Sequence, residues 1–293
     1  MRLYRFGQQG KERPGVFLSD GNGVDVSGFC SDYDEAFFAT GGVDSLSRWL
    51  KENSSHLPQV DTSIRLGPPI TRPSKIVCIG HNYRDHATES GRQIPKEPVL
   101  FLKSTTAMCG PNDNVVMPRN GLKLDWEAEL AVIIGKRASY VPKETALEFV
   151  AGYTVFNDYS ERSFQLERGG QWVKGKSADT FAPLGPFLAT HEDVPNAGQL
   201  HLWLRVNGEL RQDGNTSDMI FDVPTIVSYV SEFMTLLPGD VIGTGTPAGV
   251  GQGRKPPIFL QPGDVVRLGI DGLGESNQKV VAWESRSISS SSS

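Results

Sequence analysis

Hydrophobic and polar positions along the chain form many short runs that are separated by glycine and proline. Apolar or alternating runs of this length predict strands, and an Asn207-Gly208 step predicts a tight hairpin turn. The wider spacing of amphipathic helices occurs at residues 44–51 and 224–235, and shorter helical turns are predicted at residues 145–149 and from residue 83 onward. The predicted strands are residues 3–6, 14–18, 23–26, 75–79, 99–103, 126–134, 152–158 and 200–206.

This pattern divides the 293 residues into two blocks and a tail. A proline-rich joint at residues 66–73 separates a small β-rich N-terminal domain, residues 1–70, from a larger domain, residues 74–284. The last nine residues, 285–293, are nearly all serine and are predicted to be disordered. The 32 glycines and 19 prolines favour strands and turns over long helices, so we expect an α+β protein with a dominant β component.

Composition excludes several classes of function. The net charge of −5 lacks the basic excess that nucleic-acid binding requires. The apolar runs are far shorter than the roughly 20 residues of a membrane-spanning helix. The three cysteines are widely spaced and form no Cys-x-x-Cys pair, which is typical of free thiols in a reducing compartment. We therefore expect a cytoplasmic protein that binds neither nucleic acid nor membrane.

Two carboxylates on the predicted strand 126–134 suggest a metal site. Side chains alternate along a strand, so Glu127 and Glu129 share one face. Such neighbours repel each other unless a cation lies between them, and hard divalent cations prefer oxygen ligands. Asp158 ends another apolar strand and is a third candidate ligand. The alternative for the Glu-x-Glu pair alone is a solvated sheet edge.

A histidine segment supplies a candidate general base. On a helix that starts near residue 83, His86 and Glu89 are neighbours at i and i+3. A carboxylate beside an imidazole orients the ring and raises its basicity, so the pair can take a proton from water. The alternative is an ion pair on an exposed helix. His81, at the preceding bend, is interpreted as a turn residue rather than a ligand.

Two loops carry groups that can meet an anionic substrate. Residues 163–176 form a long glycine-containing loop that can fold over a site, with Gln165 and Lys176 as candidate contacts to an anionic oxygen. Residues 242–251 form a second loop with hydroxyls and free backbone N–H groups, which can cradle a carboxylate. This loop lacks the Gly-Lys-Ser/Thr ending of a phosphate-binding P-loop.

Together these segments resemble the fumarylacetoacetate hydrolase family over residues 74–284. The resemblance implies a mixed β-roll or β-barrel fold and Mg²⁺ or Mn²⁺ held by Glu127, Glu129 and Asp158. It also implies catalytic roles for His86, Glu89 and Lys176, and substrate contacts by Gln165 and Thr246. The matching phrases are Gly80-His81-Asn82-Tyr83 with Asp85-His86 and Glu89, residues 98–103, residues 127–130, Asn157-Asp158, Lys176-Ser177 and residues 244–247.

The same chain resembles the branch of that family that hydrolyses sugar-derived diketo acids, such as 2,4-diketo-3-deoxy-rhamnonate or -fuconate. The grounds are residues 161–172 and the Lys255-Pro256-Pro257 phrase. The resemblance implies a metal-dependent hydrolase of carbohydrate metabolism that acts on a small keto acid, and a homodimer. The alternatives are an oxaloacetate decarboxylase or keto–enol isomerase, a ureidoglycolate lyase, and a β-rich binding protein without catalysis.

Overall fold

The computed structural model describes residues 1–61, 63–89, 91 and 93–284, so the predicted serine tail lies outside the described residues. The helices are α1 (Glu35–Ala39), α2 (Gly42–Asn53), α3 (Arg84–Glu89), α4 (Arg162–Leu166), α5 (Val173–Lys176) and α6 (Val223–Phe233). The 3₁₀ turns are Ser54–His56, Thr105–Ala107, Lys143–Phe149, His191–Asp193, Thr216–Asp218 and Gly251–Gly253. No helix among these described residues is long and apolar enough to span a bilayer.

Strands account for most of the architecture. They are β1 (Arg2–Phe6), β2 (Arg13–Phe17), β3 (Gly23–Asp25), β4 (Leu66–Gly67), β5 (Ile76–Gly80), β6 (Val99–Lys103), β7 (Met108–Cys109), β8 (Val115–Val116), β9 (Leu124–Asp125), β10 (Ala128–Ile134), β11 (Val150–Asn157), β12 (Ser160–Glu161), β13 (Ala182–Pro183), β14 (Leu188–Thr190), β15 (His201–Val206), β16 (Glu209–Asn215), β17 (Val241–Gly243), β18 (Val265–Ile270) and β19 (Gly274–Val281). The predicted mixed α+β class with a dominant β component is confirmed.

One large sheet runs through the molecule in the order β3-β2-β1-β14-β11-β10-β17-β5-β6, with β4 attached to β1. The pairing is antiparallel except between β17 and β5. A second sheet has the order β16-β15-β18-β19-β8. Because β1 pairs with β14, the N-terminal segment continues the sheet of the larger block. The predicted domain division at residue 70 stays a prediction.

The central strands β10 and β11 explain where the core lies. Every residue of β10 is buried, so its apolar side chains pack on both faces of the sheet. A two-faced burial of this kind requires a continuous apolar run rather than an alternating one. The register pairs Ala128 with Asn157. This register places the start of β10 beside the end of β11, where the acidic residues cluster.

The predicted strand 126–134 is wrong at its beginning. Regular pairing starts at Ala128, whereas Leu124–Asp125 pairs with Ser160–Glu161 in a separate two-stranded ladder. In the gap, side chains accept hydrogen bonds from two backbone N–H groups. The Glu127 N–H donates to the side chain of Asn157, and the Ala128 N–H donates to the side chain of Gln212. Glu127 therefore lies on an irregular segment just before β10.

Other local predictions agree closely with the structure. Residues 44–51 lie inside α2, and residues 224–233 lie inside α6, which begins after the N-cap Asp222. Asn207 and Gly208 form the β15–β16 hairpin, both with positive φ, as a type I′ turn requires. Residues 145–149 belong to a 3₁₀ segment, Lys143–Phe149, because Pro142 sets its start and β11 follows it directly.

Candidate metal centre and active site

Three acidic side chains meet at the junction of β10 and β11. Glu127 precedes β10, Glu129 is its second residue, and Asp158 follows β11. The side chains offer one oxygen each within 4.8 Å of one another. All three residues are buried, with 6%, 2% and 0% of their surfaces exposed. The carboxylates that the sequence predicts as metal ligands are thus brought together.

Two lysines compensate part of this negative charge. The Lys176 ammonium donates to Glu127 Oε2 and to Asp158 Oδ2, at 2.6 Å each. The Lys103 ammonium donates to Asp158 Oδ1 at 2.5 Å. Burial disfavours the charged form of Lys176, but the attraction of Asp158 and Glu127 is stronger and raises its pKa. Lys176 is therefore held as a cation at the centre of the cluster.

Arg162, a residue that the sequence analysis assigned no role in the site, fixes the other side of Glu127. The buried guanidinium donates to Glu127 Oε1 at 2.6 Å, to Asp125 Oδ2 at 2.8 Å and to Gln165 Oε1 at 3.0 Å. With Lys176 on its second oxygen, Glu127 has cations on both oxygens, which lower its pKa despite burial. The sequence signal for a basic partner was the Asp125 carboxylate, two residues before Glu127. Several buried acids close together require a buried cation beside them.

Glu129 lacks such compensation. Its carboxylate accepts a hydrogen bond from the Gly245 N–H at 3.1 Å. Burial raises its pKa well above the usual value, and the charges of Asp158 and Glu127 raise it further. A cation placed against Glu129 would relieve this repulsion. The site has a place for additional positive charge.

The charge balance supports a divalent ion. When all four carboxylates of this cluster are ionised, they exceed its buried cations by one negative charge. The acids are Asp125, Glu127, Glu129 and Asp158, and the cations are Lys103, Arg162 and Lys176. An ion of charge +2 would make the cluster positive and so attractive to an anionic acid. Three carboxylate ligands also match the preference of Mg²⁺ and Mn²⁺ for oxygen. The residues present fit such an ion.

The histidine segment forms the predicted short helix and faces the same site. On α3, His86 Nδ1 lies 3.4 Å from Glu89 Oε2. Burial opposes ionisation of Glu89, but hydrogen bonds from His86 and from the Gly249 N–H outweigh it and lower its pKa. An ionised Glu89 can orient the His86 ring by accepting a hydrogen bond from it. This geometry is suited to general-base chemistry.

The glycine loop at residues 242–251 binds carboxylates, as its composition predicts, but these belong to the protein. Besides the Gly245 bond to Glu129, its N–H groups reach α3 and β9. The Gly249 N–H donates to Glu89 at 3.1 Å, and the Gly251 N–H donates to Asp125 at 2.6 Å. The loop therefore anchors the candidate base and the acidic cluster together. With the Ala248 N–H, which donates to Asp85, four backbone donors of the loop are occupied by side chains of the protein itself.

A cavity of about 420 Å³ joins these groups. Its lining includes seven of the eight predicted site residues: His86, Glu89, Glu127, Glu129, Gln165, Lys176 and Thr246. Asp158 lies behind them, because Lys103 and Lys176 cover its two oxygens. The roles assigned to the eight residues stay predictions.

Two predicted contacts already have protein partners. The Thr246 hydroxyl donates to the Ala128 carbonyl at 2.8 Å and accepts from the Gln212 side chain at 2.7 Å. Gln165 accepts from Arg162 through its side-chain carbonyl. Thr246 therefore also has a structural role, since it ties the glycine loop to the start of β10.

Aromatic residues form one wall of the cavity, and only His81 among them was singled out from the sequence. The His81 ring lies nearly parallel to the His86 ring, with centroids 5.7 Å apart. Trp172 meets His81 and Phe101 edge-on, at 5.6 and 5.3 Å. We call Phe101, Trp172 and His81 the aromatic wall. His81 occupies the predicted turn, with φ of 55°.

Comparisons with known proteins agree with this site. The model of the fumarylacetoacetate (FAA) hydrolase C-terminal family matches residues 75–281. The chain belongs to the fumarylacetoacetate hydrolase family. Its fold is therefore of the type that the sequence resemblance implied. The family match covers all the residues of the candidate site.

Individual relatives in the family have hydrolase and isomerase names. A Burkholderia ambifaria protein, provisionally named a hydrolase, is 49% identical over 95% of this chain and 98% of its own. The maleylpyruvate hydrolase of Sphingobium sp. SYK-6, solved with manganese(II) and pyruvate, is 32% identical over 97% of this chain and all of its own, with a TM-score of 0.81. A Mycobacterium abscessus protein, provisionally named a 2-hydroxyhepta-2,4-diene-1,7-dioate isomerase, is 34% identical over the same shares, with a TM-score of 0.82.

Proposed function

We propose that the protein is a divalent-metal-dependent hydrolase that cleaves a carbon–carbon bond in an acylpyruvate, that is, a 2,4-diketo acid. The observation that carries this proposal is the shared cavity, which has a three-carboxylate cluster at one end and the His86–Glu89 pair at its wall. A metal-binding end suits the chelating 2-keto acid, and a base beside it suits activation of water. The Sphingobium relative with manganese and pyruvate supports the same assignment.

The residues divide the reaction between them. Glu127, Glu129 and Asp158 would hold Mg²⁺ or Mn²⁺. When bound, this ion would supply Lewis-acid stabilisation of negative charge on the keto-acid oxygens. His86, held by Glu89, takes a proton from water, whose oxygen forms a bond to the remote carbonyl carbon. The bond between that carbon and the pyruvate methylene then breaks, and the methylene receives a proton. Water and acylpyruvate thus give a carboxylic acid and pyruvate.

Lys176 contributes a fixed positive charge at the point where negative charge develops. Its ammonium is buried and held between two carboxylates, so it needs little reorganisation during the reaction. Gln252, Arg254 and Lys255 also line the cavity. These groups suit an acyl part that carries hydroxyls, and on this ground we propose a sugar-derived diketo acid as the substrate. The predicted homodimer stays a proposal of its own.

The test is release of pyruvate from a diketo acid. Purified protein loaded with Mn²⁺ is incubated with acetylpyruvate and with 2,4-diketo-3-deoxy-rhamnonate, and pyruvate is measured through lactate dehydrogenase. We expect release by the wild type, a loss of at least about 100-fold in Glu89→Gln, and unchanged rates in the control Glu97→Gln, whose side chain is exposed. Absence of pyruvate from every diketo acid overturns the proposal.

An isomerase or oxaloacetate decarboxylase on the same residues is the second candidate, because the Mycobacterium abscessus relative has an isomerase name. These reactions need no attack by water, so they depend less on His86. His86→Ala is therefore assayed with a diketo acid and with oxaloacetate. Hydrolysis as the native activity predicts a much larger loss on the diketo acid. Calorimetric titration with Mn²⁺ tests the alternative of a binding protein without metal, which predicts no binding.

A further inference from the structure

A second cavity lies on the other side of the aromatic wall. It has a volume of about 580 Å³, and Trp172 and Phe101 line both this cavity and the catalytic one. Its remaining lining is mostly apolar and includes Val77, Val99, Leu100, Leu102, Val173 and Met234. The catalytic cavity has a polar, charged lining by comparison. A half-buried indole thus separates a polar space from an apolar one.

The chain holds this indole in a defined place. A Cβ at Gly80 would lie 2.8 Å from the Trp172 ring, so glycine is needed there for the ring to dock against β5. Trp172 is also followed directly by α5, whose last residue is Lys176 of the acidic cluster. Trp172 and Lys176 are separated along the chain by one helical turn. The position of the indole relative to the three carboxylates is therefore determined by this short helix.

Two glycines with positive φ lie in the segment that precedes Trp172. Gly169 and Gly170 precede it with φ of 81° and 70°, a conformation that most other residues adopt only with strain. These residues allow the chain to reverse and bring Trp172 back over β5 and β6, where it meets Phe101. The side chain has edge contacts on two sides, with Phe101 and His81. The indole therefore packs against Gly80 at the end of β5 and against Phe101 in the middle of β6.

We propose that Trp172 is a specificity-determining residue that limits the length of the acyl part of the substrate. The inference rests on the proposed function, because it takes the acidic cluster as the end that binds the keto acid. An acyl chain that extends from there along the aromatic wall meets the indole. The apolar space beyond it is closed to the substrate. Removal of the indole joins the two cavities and opens the apolar one to long acyl chains.

Binding of unreactive acids tests this directly. The probes are N-alkyl oxamates from N-methyl to N-hexyl, which offer a chelating 2-oxo acid and cannot undergo the cleavage. Calorimetric titration into Mn²⁺-loaded wild type should show affinity falling about tenfold or more from the shortest to the longest probe, since single methylenes change pocket affinity by such factors. In Trp172→Ala the order should level or reverse. The same length dependence in both proteins overturns the inference.

Matched variants separate size selection from general damage. Gly80→Ala displaces the indole without deleting it and should weaken the length dependence in the same direction, also if Trp172→Ala does not fold. Val173→Ala changes the apolar cavity alone and should keep the wild-type order, because Val173 lines only that cavity. If no oxamate binds the loaded wild type, the proposed function fails, and the inference fails with it. If the probes bind but Gly80→Ala and Trp172→Ala keep the wild-type order, only the inference fails.

Discussion

The ammonium of Lys176 lies 2.6 Å from Glu127 Oε2. Its second ion pair, with Asp158, also has a length of 2.6 Å. A divalent ion that binds the acidic cluster therefore competes with Lys176 for two oxygens. This competition can be measured through the effect of a Lys176 substitution on stability and on metal binding.

Replacing Lys176 with methionine should lower the stability of the metal-free protein and raise its response to metal. Loss of one partner from a buried ion pair costs about 3–5 kcal/mol, and the freed carboxylates then bind Mn²⁺ more tightly. Thermal unfolding with chelator and with Mn²⁺ measures both effects, and the rise in Tm on loading should exceed that of wild type. Lys174→Met, on the exposed part of the same helix, is the control and should match wild type. An equal rise in both variants would contradict the competition.

Two neighbouring glutamates should respond oppositely to the same substitution. Glu127→Gln removes one of the two charged partners of Arg162 and one of the two charged partners of Lys176, so we expect a loss of about 1–3 kcal/mol in the free energy of unfolding without metal. Glu129→Gln removes a carboxyl group whose ionised form is disfavoured by burial and by the neighbouring acids, so the metal-free protein should be as stable as wild type or more stable. Urea unfolding in chelator measures both. Similar destabilisation by the two variants would show that the charge balance described for the cluster is wrong.

Both glutamate variants should bind Mn²⁺ more weakly than wild type. Each removes one of three charged oxygen ligands, and a neutral amide is a poorer ligand for a hard divalent ion. Calorimetric titration measures the affinity, and Glu129→Gln is the more informative variant because its fold is expected to be intact. Wild-type affinity in Glu129→Gln would remove this residue from the ligand set.

Arg162→Lys should not preserve the site, although it preserves the charge. The guanidinium contacts Asp125, Glu127 and Gln165 at once, and a lysine cannot reproduce this planar set of donors. We expect a loss of at least about 2 kcal/mol in stability and weaker Mn²⁺ binding, because Glu127 loses its orientation. Chemical unfolding and titration check the two effects. Wild-type stability and wild-type Mn²⁺ affinity in this variant would show that the guanidinium is not needed to orient Glu127.

The Glu89 contacts predict a pH dependence of stability. Hydrogen bonds from His86 and Gly249, with the charge of Arg254 nearby, lower the pKa of Glu89 below its value in the unfolded chain. The ionised group therefore stabilises the fold above the unfolded pKa, near 4.5, and this stabilisation is lost as pH falls through the lower folded value. Urea unfolding of wild type and Glu89→Gln in chelator should show a difference at pH 6 that shrinks below pH 4.5. A difference that is constant with pH would contradict the assignment.

The sequence alone predicts the parts of the site that depend on local spacing. His86 and Glu89 are neighbours because a helix places i and i+3 on one face. Glu127 and Glu129 were identified although the strand was predicted to begin too early. Both acids lie at the start of this strand whether it begins at residue 126 or at Ala128. Regular pairing begins later than predicted because the side chains of Asn157 and Gln212 cap the N–H groups of Glu127 and Ala128. Pattern rules do not include such caps. These caps depend on residues 30 and 84 positions away in the chain.

Arg162 and Trp172 could not be placed from the sequence for a related reason. Arg162 is the first residue of the short helix α4, and Trp172 directly precedes α5. The position of each depends on what it packs against, and neither has a periodic neighbour that gives its direction. Arg162 is defined by Asp125, 37 residues earlier. Trp172 is defined by Gly80, whose missing side chain leaves the space for the ring. Long-range partners of this kind require coordinates.

The glycine loop at residues 242–251 connects the two halves of the site through its backbone. Because its amides bind Glu89, Glu129 and Asp125, a local opening of this segment would release the helix with the base and the acidic cluster in one event. Heat inactivation and loss of cation affinity should then share one midpoint. Amide exchange at Gly245, Gly249 and Gly251 should become slower together when the ion binds.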